Sequence, residues 1–207
     1  TSLCWECLRN MIRDNPLKGF NDLGDFIQVR EGSLSSDFCR SVIEKFNNDE
    51  NVGPDQTLGG NKESIQKRDS ISVTNSEEWK EEDLVFFTAL QKGLESYNIP
   101  NSTGKYKDLG YKIAHQNSDG YYHWHHDAHW EDNWCRTISF LWYLNTLEDG
   151  YTEFFNGHKV YPEEGKLLMF PANNIFCHRS TKTKTNKYIC TGWIYEENYK
   201  SRVFNNV

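Results

Sequence analysis

From Leu109 onward the chain divides into short apolar or alternating runs separated by turns: YKIAH, YYHWHHD, RTISFLWYLN, TEFF, KLLMF, NIFCH and KYICTGWIY. Runs this short cannot bury a face alone, so as strands they must close on one another in a sandwich or barrel. The first half reads differently. Leu34 to Asn47 places Phe38, Val42, Ile43 and Phe46 at helical spacing behind Ser35 or Ser36 as a cap. Ser76 to Tyr97 repeats the pattern with Trp79, Leu84, Phe87, Leu90 and Leu94, and Pro100 is the expected stop. FIQVR (26–30) and DSISV (69–73) read as strands. Between them, 51–67 holds Gly53, Pro54, Gly59 and Gly60 without periodicity, which predicts a long loop and a candidate lid. The expected class is α+β and mainly β, with N-terminal helices packed against one sheet.

At 207 residues the chain suits a single domain. Its expected parts are an N-terminal arm with supporting helices (1–108), a β core (109–195) and a C-terminal tail (196–207). The net charge of −7 comes without a basic stripe, which argues against nucleic acid as a partner. No run of about 18 apolar residues and no charged, then apolar, leader is visible, so no membrane partner and a cytoplasmic location are expected. The six cysteines do not form a small secreted disulfide framework. Cys4 and Cys7 make a CxxC without a second one or a nearby histidine, and plain thiols are the reading for them.

The chemistry concentrates in YYHWHHDAHW (121–130), where His123, His125, His126 and His129 surround Asp127. On a strand, His125 and Asp127 share a face and His126 points away. An imidazole and a carboxylate side by side make two-thirds of a facial metal triad, the arrangement suited to non-haem Fe(II). His178, at the end of NIFCH, is the leading third ligand. His123 shares the face too, but positions 123 to 127 span roughly 13 Å, and one ion within about 2.1 Å of its ligands can use only one neighbouring pair. A His-x-His pair would need a glutamate four or five positions on and a glycine beyond; Glu131 is six positions after His125 and no glycine follows at the required place. Downstream, Lys187, Ile189, Thr191 and Trp193 alternate onto one face. An inward lysine there implies a bound carboxylate or an internal acid.

Taken together, HxD, YLN, a turn with TxF, PxxG, and a histidine followed by a basic residue resemble the Fe(II)- and 2-oxoglutarate-dependent oxygenases, in their prolyl 4-hydroxylase-like branch, over about Leu109 to Tyr195. The resemblance implies a double-stranded β-helix, or jelly-roll, core. It implies His125, Asp127 and His178 as iron ligands, with Lys187 and Tyr143 (in WYLN) on the distal carboxylate of 2-oxoglutarate. Trp193 and Tyr122 match substrate-side residues, and His123 is read as substrate-facing. His115, ten before His125, stands where these enzymes often carry a cosubstrate-contacting tyrosine, and the family's GGxTxF turn is one glycine short at Gly150 to Phe154.

The activity so implied is hydroxylation of an unactivated C–H bond, using Fe(II), 2-oxoglutarate and O2 and releasing succinate and CO2, with ascorbate as a reductant. A prolyl residue in a protein or peptide is the favoured substrate. Another amino-acid side chain or a free small molecule is the alternative, and a non-catalytic jelly-roll metal-binding module is the reading from another class.

Overall fold

The structure, a computed structural model, describes residues 23–55, 65–74, 76–97 and 105–197. Cys4, Cys7, Pro100 and residues 56–64 of the expected lid lie outside the described residues, as do most of the N-terminal arm and the tail. Twelve strands among the described residues form one curled sheet: β1 (Gln28–Arg30), β2 (Gly53–Pro54), β3 (Ile65–Ser72), β4 (Tyr106–Asp108), β5 (Lys112–His125), β6 (Trp130–Glu131), β7 (Trp134–Tyr143), β8 (Thr152–Phe154), β9 (Lys159–Val160), β10 (Leu167–Pro171), β11 (His178–Ser180) and β12 (Lys187–Glu197).

The main path runs β1-β10-β7-β12-β5-β11-β8-β9, with β3 also on β5, β2 on β3, β4 on β12 and β6 on β7. β5 turns the sheet on itself. Its first half lies between β3 and β12, and its second half meets β11. The result is the expected jelly-roll, built by non-local antiparallel pairing.

Alternation along β7 divides the core into two layers. Ile138, Phe140 and Trp142 point to the helices, and Leu141 and Tyr143 point into the barrel with Phe154, Leu168, Phe170 and Ile189. On the helical side α1 (Ser36–Asn48) begins at Ser35, whose hydroxyl accepts the Phe38 N–H at 3.3 Å, and buries Cys39, Val42 and Phe46. The second helix, α2 (Lys80–Ser96), follows a 3-10 turn at Glu77–Trp79. Its buried face keeps the expected Trp79 and Leu90, with Leu94 packed beside them, but differs at two positions: Leu84 is 63% and Phe87 41% exposed, whereas Phe86 and Ala89 are buried. At 3.6 residues per turn Phe86 and Leu90, seven and eleven positions after Trp79, fall on its face, whereas Leu84 and Phe87 lie to one side. Phe86 takes the inward place, 5.4 Å from Trp142 and 5.7 Å from Tyr111 between ring centres. Gly93 lets α2 close on β10, since a Cβ there would stand 2.6 Å from Leu167 Cδ2.

Two other expectations change. NIFCH is not a strand: Asn174–Phe176 is a 3-10 turn, its first N–H groups satisfied in part by Asn173, whose side chain accepts from Ile175 N at 3.0 Å, and β11 starts only at His178. The span 51–67 is not one loop, because Gly53–Pro54 pairs with Asp69–Ser70 and β3 already begins at Ile65. No helix among the described residues is long and apolar enough to cross a membrane.

The helical layer yields a direct test. Phe86→Ala should lower unfolding stability by about 3–5 kcal/mol, the cost of deleting a fully buried aromatic, while Leu84→Ala should change it by less than about 0.5 kcal/mol. Urea unfolding followed by tryptophan fluorescence measures both.

Candidate metal centre

His125 closes β5 and His178 opens β11, and the two are direct partners across the strand pair. Their rings lie 4.3 Å apart between centres. Asp127, two residues beyond the end of β5, has Oδ1 3.7 Å from His125 Nε2 and Oδ2 3.8 Å from His178 Nε2. One donor atom from each of the three falls within 4.8 Å of the others, the spacing of groups that could hold one ion.

The surrounding backbone fixes which donor atoms are offered. His125 Nδ1 lies 2.8 Å from the His123 carbonyl, and His178 Nδ1 lies 3.0 Å from the Phe176 carbonyl. A carbonyl oxygen only accepts, so each Nδ1 carries the proton and each Nε2 presents its lone pair towards Asp127. Burial, then the neighbouring His178, lowers the pKa of His125, keeping the ring neutral. At Asp127 burial favours the acid form, but His178, His125 and the hydroxyl of Ser139, which donates to Oδ2 at 2.7 Å, together hold its pKa below the ordinary carboxylate value. The buried Trp193 indole N–H, without a complete hydrogen bond among the described residues, adds a smaller pull of the same sign. A neutral His125 ring and an ionised Asp127 carboxylate are protonation states that suit a divalent cation.

These groups open on a cleft of about 410 Å³, whose lining also includes Arg68, Tyr122, Arg136, Ser139, Ser180 and Trp193. Tyr122 stacks on His125 with ring centres 3.7 Å apart and planes 10° apart. The Arg136 guanidinium lies 3.6 Å from the centre of the Trp193 ring. His126, expected to point away, is exposed and contributes to the cleft wall, because the chain leaves β5 at His125 and strand alternation ends there.

Lys187 stands one hydrogen bond behind Ser180. It is 2% exposed, and its ammonium donates to Ser180 Oγ at 2.7 Å and to the Gly150 carbonyl. No carboxylate among the described residues forms an ion pair with it. Burial, with the positive charge of Arg68 second, brings its pKa down to about 7. A buried ammonium with neutral partners only is costly to keep charged, and an anion would relieve it. Ser180 passes the chain of contacts on, donating to Gln116 Oε1 at 2.7 Å.

The remaining predicted residues divide. The Tyr143 ring is 5.5 Å from Lys187 Nζ. Its hydroxyl, however, is taken up by Thr152 Oγ1 at 2.7 Å and the Val160 carbonyl at 3.1 Å. His115 does not reach the cleft; it stacks on Tyr188 at 4.4 Å and meets Phe46 of α1 edge-on at 6.1 Å, on the helical face. Counting by twos from His125 fails across this stretch because Asp119 adopts φ +62° and the β3 and β11 ladders both shift register here. His123 is exposed and outside the cleft lining, and its contribution is the carbonyl that orients His125. Ser139 was legible from its parity with Leu141 and Tyr143. Arg68, Gln116 and Ser180 had no local signal, since each is brought to the site by pairing of distant strands.

Residues 111–195 match the sequence model of the 2OG-Fe(II) oxygenase superfamily. No curated protein sequence matches significantly. Among solved structures, a viral collagen prolyl hydroxylase from Paramecium bursaria Chlorella virus-1, in complex with 2-oxoglutarate, is 18% identical with a TM-score of 0.65, covering 83% of this chain and 97% of its own. A Trichoplax adhaerens prolyl hydroxylase in complex with a hypoxia inducible factor oxygen degradation domain peptide fragment is 17% identical with a TM-score of 0.70, covering 95% and 94%. A Pseudomonas putida prolyl-4-hydroxylase is 17% identical with a TM-score of 0.59, covering 84% and 94%. Over residues 111–195 the chain is thus similar to the 2OG-Fe(II) oxygenase superfamily, and its fold is like that of the solved prolyl hydroxylases.

Proposed function

We propose that the protein couples oxidative decarboxylation of 2-oxoglutarate to hydroxylation of an unactivated C–H bond, and that the hydroxylated group is a prolyl residue of a protein or peptide. The observation that carries the reading is the pairing of a His125-Asp127-His178 donor set with a buried, acid-free lysine a short way behind it. The prolyl assignment draws on the solved prolyl hydroxylases of similar fold, one of them in complex with a peptide fragment.

In this reading His125 Nε2, His178 Nε2 and an Asp127 oxygen hold Fe(II), and the bound iron with 2-oxoglutarate and O2 supplies the oxidising chemistry that yields succinate, CO2 and a hydroxylated product. The chain's own part is positioning. Ser139 fixes one Asp127 oxygen, and the His123 and Phe176 carbonyls fix the two rings. Lys187 receives the far carboxylate of 2-oxoglutarate, with Ser180 beside it and the Tyr143 ring flanking the ammonium. Tyr122 and Trp193 form the walls against which the substrate is oriented, and the apolar Leu141, Phe170 and Ile189 help keep water out.

Purified protein given Fe(II), ascorbate and 2-oxoglutarate should release succinate. Mass spectrometry over proline-containing peptides and free amino acids should find a +16 Da product among the peptides. Product confined to free amino acids would replace the prolyl reading, and no succinate under any condition would overturn the oxygenase one.

The lysine sets a pH dependence. Its ammonium titrates near pH 7 without an anion, so below that pH it is charged and ready to bind, and above it a proton must be taken up on binding. The KM for 2-oxoglutarate should therefore rise as pH goes from 7 to 9, by up to about tenfold per unit. Lys187→Arg, charged throughout, should flatten the profile, as initial rates at varied 2-oxoglutarate would record.

Ser139→Ala should weaken divalent metal binding by about 10- to 100-fold, the usual effect of removing a partner that orients a ligand. Titration with Co(II), followed by its visible absorption, measures this.

A further inference from the structure

Strands β3 and β5 add cationic groups to the cleft that neither the metal nor 2-oxoglutarate requires. Arg68 on β3 and Lys112 on β5 both line it. They share one carboxylate, Asp55, whose side chain is 1% exposed: Arg68 Nε lies 3.2 Å from Oδ2, and Lys112 Nζ lies 2.8 Å from Oδ1. Ser70 donates to the same Oδ1 at 3.0 Å, and the Asp55 N–H is held by the Arg68 carbonyl at 3.0 Å. Burial opposes ionisation of Asp55, but the two cations outweigh it and hold its pKa below the ordinary value. The arrangement is therefore two positive charges on one negative, fixed in place.

Among the described residues the excess is not balanced elsewhere in the cleft. Arg136 adds another cation, with Nε donating to the Tyr195 hydroxyl at 2.9 Å rather than to an acid. Among the described residues Asp127 is the one acidic residue in the lining, and it is one of the candidate metal donors. A positive wall in a chain of net charge −7 is not a reflection of composition. Its place is also specific. Arg68 lies opposite Gln116, which is itself opposite Lys187, so the three share one face of the sheet. The Arg68 guanidinium sits 5.4 Å from the centre of the Tyr122 ring, which stacks on His125. Among the described residues its terminal amino groups have no hydrogen-bond partner, leaving a planar donor pair at the cleft of the kind that fits a carboxylate.

We propose that Arg68 and Lys112, held in position by Asp55, bind a carboxylate of the primary substrate, so that the substrate carries an acidic group close to the C–H bond it presents to the metal. The inference rests on the oxygenase reading above and specifies its substrate class. Lys187 does not compete for this role, since it lies behind Ser180. The carboxylate has two sources, the side chain of an acidic residue beside the target in a peptide or the α-carboxylate of a free amino acid. Asp55 keeps two long side chains from collapsing or wandering, which lowers the ordering cost on binding.

The test uses the full chain with Fe(II), ascorbate and 2-oxoglutarate, and compares matched pairs by product mass and by succinate release. One pair is a proline-containing peptide with glutamate beside the target against the same peptide with glutamine; the other is a free amino acid against its amide. The acid of at least one pair should have a kcat/KM about tenfold or more above its neutral partner, as expected for a charge-assisted hydrogen bond, and the pair that discriminates names the source. In Lys112→Gln, whose side chain is partly exposed, and in Arg68→Gln, that ratio should fall towards one. Succinate release with no acid preference in either pair, or a preference unchanged in Lys112→Gln, overturns the inference and leaves the oxygenase reading standing. No 2-oxoglutarate turnover overturns both.

Discussion

The cross-strand pairing of His125 with His178 is the contact on which the rest of the site depends. These residues are 53 positions apart in sequence. They meet because β5 is long enough to leave one half of the sheet and pair with β11 in the other. Everything that makes the pair usable by a metal follows from backbone close to it. Each ring donates Nδ1–H to a carbonyl two residues upstream, so both Nε2 atoms are offered to the same point. Asp127 reaches that point only because the chain leaves β5 immediately after His125, and Ser139 of β7 then fixes one of its oxygens.

Electrostatics organises the cleft around two kinds of buried cation. Lys187 has neutral partners and is pulled close to its neutral form, which suits a group that becomes fully charged when an anion arrives. Arg68 is instead tied to Asp55 and stays charged in a fixed geometry. The helical layer supports this arrangement from behind. Trp142, Phe140 and Ile138 anchor β7 on the helices, and the alternate residues Ser139, Leu141 and Tyr143 are thereby turned towards the site.

Much of this was legible locally. His125 and Asp127 were legible as a candidate pair from their side-chain types and close spacing, although Asp127 is placed by the chain leaving β5 and not by alternation. Lys187 and Trp193 were legible because β12 runs without a break in side-chain alternation from one to the other. Alternation fails as a guide when the count crosses an irregularity. His115 lies ten residues from His125 across a left-handed Asp119 and two register shifts, and it ends on the opposite face from the cleft. Phe86 is buried in place of Phe87 because it stands seven residues after the buried Trp79, and so on the same helical face.

By itself the sequence determined the mainly β class, the two helices, the metal-ligand candidates and the inward lysine, because each rests on side-chain type and on spacing within one element. Tertiary structure alone decided that Ser180 links Lys187 to Gln116, that Tyr143 gives its hydroxyl to Thr152 and Val160, and that Asp55, Arg68 and Lys112 form one cluster. Those contacts join β3, β5, β7, β8, β9, β11 and β12, with Asp55 directly after β2. Their register is fixed by long-range pairing, where a shift of one residue would turn each side chain to the other face of the sheet.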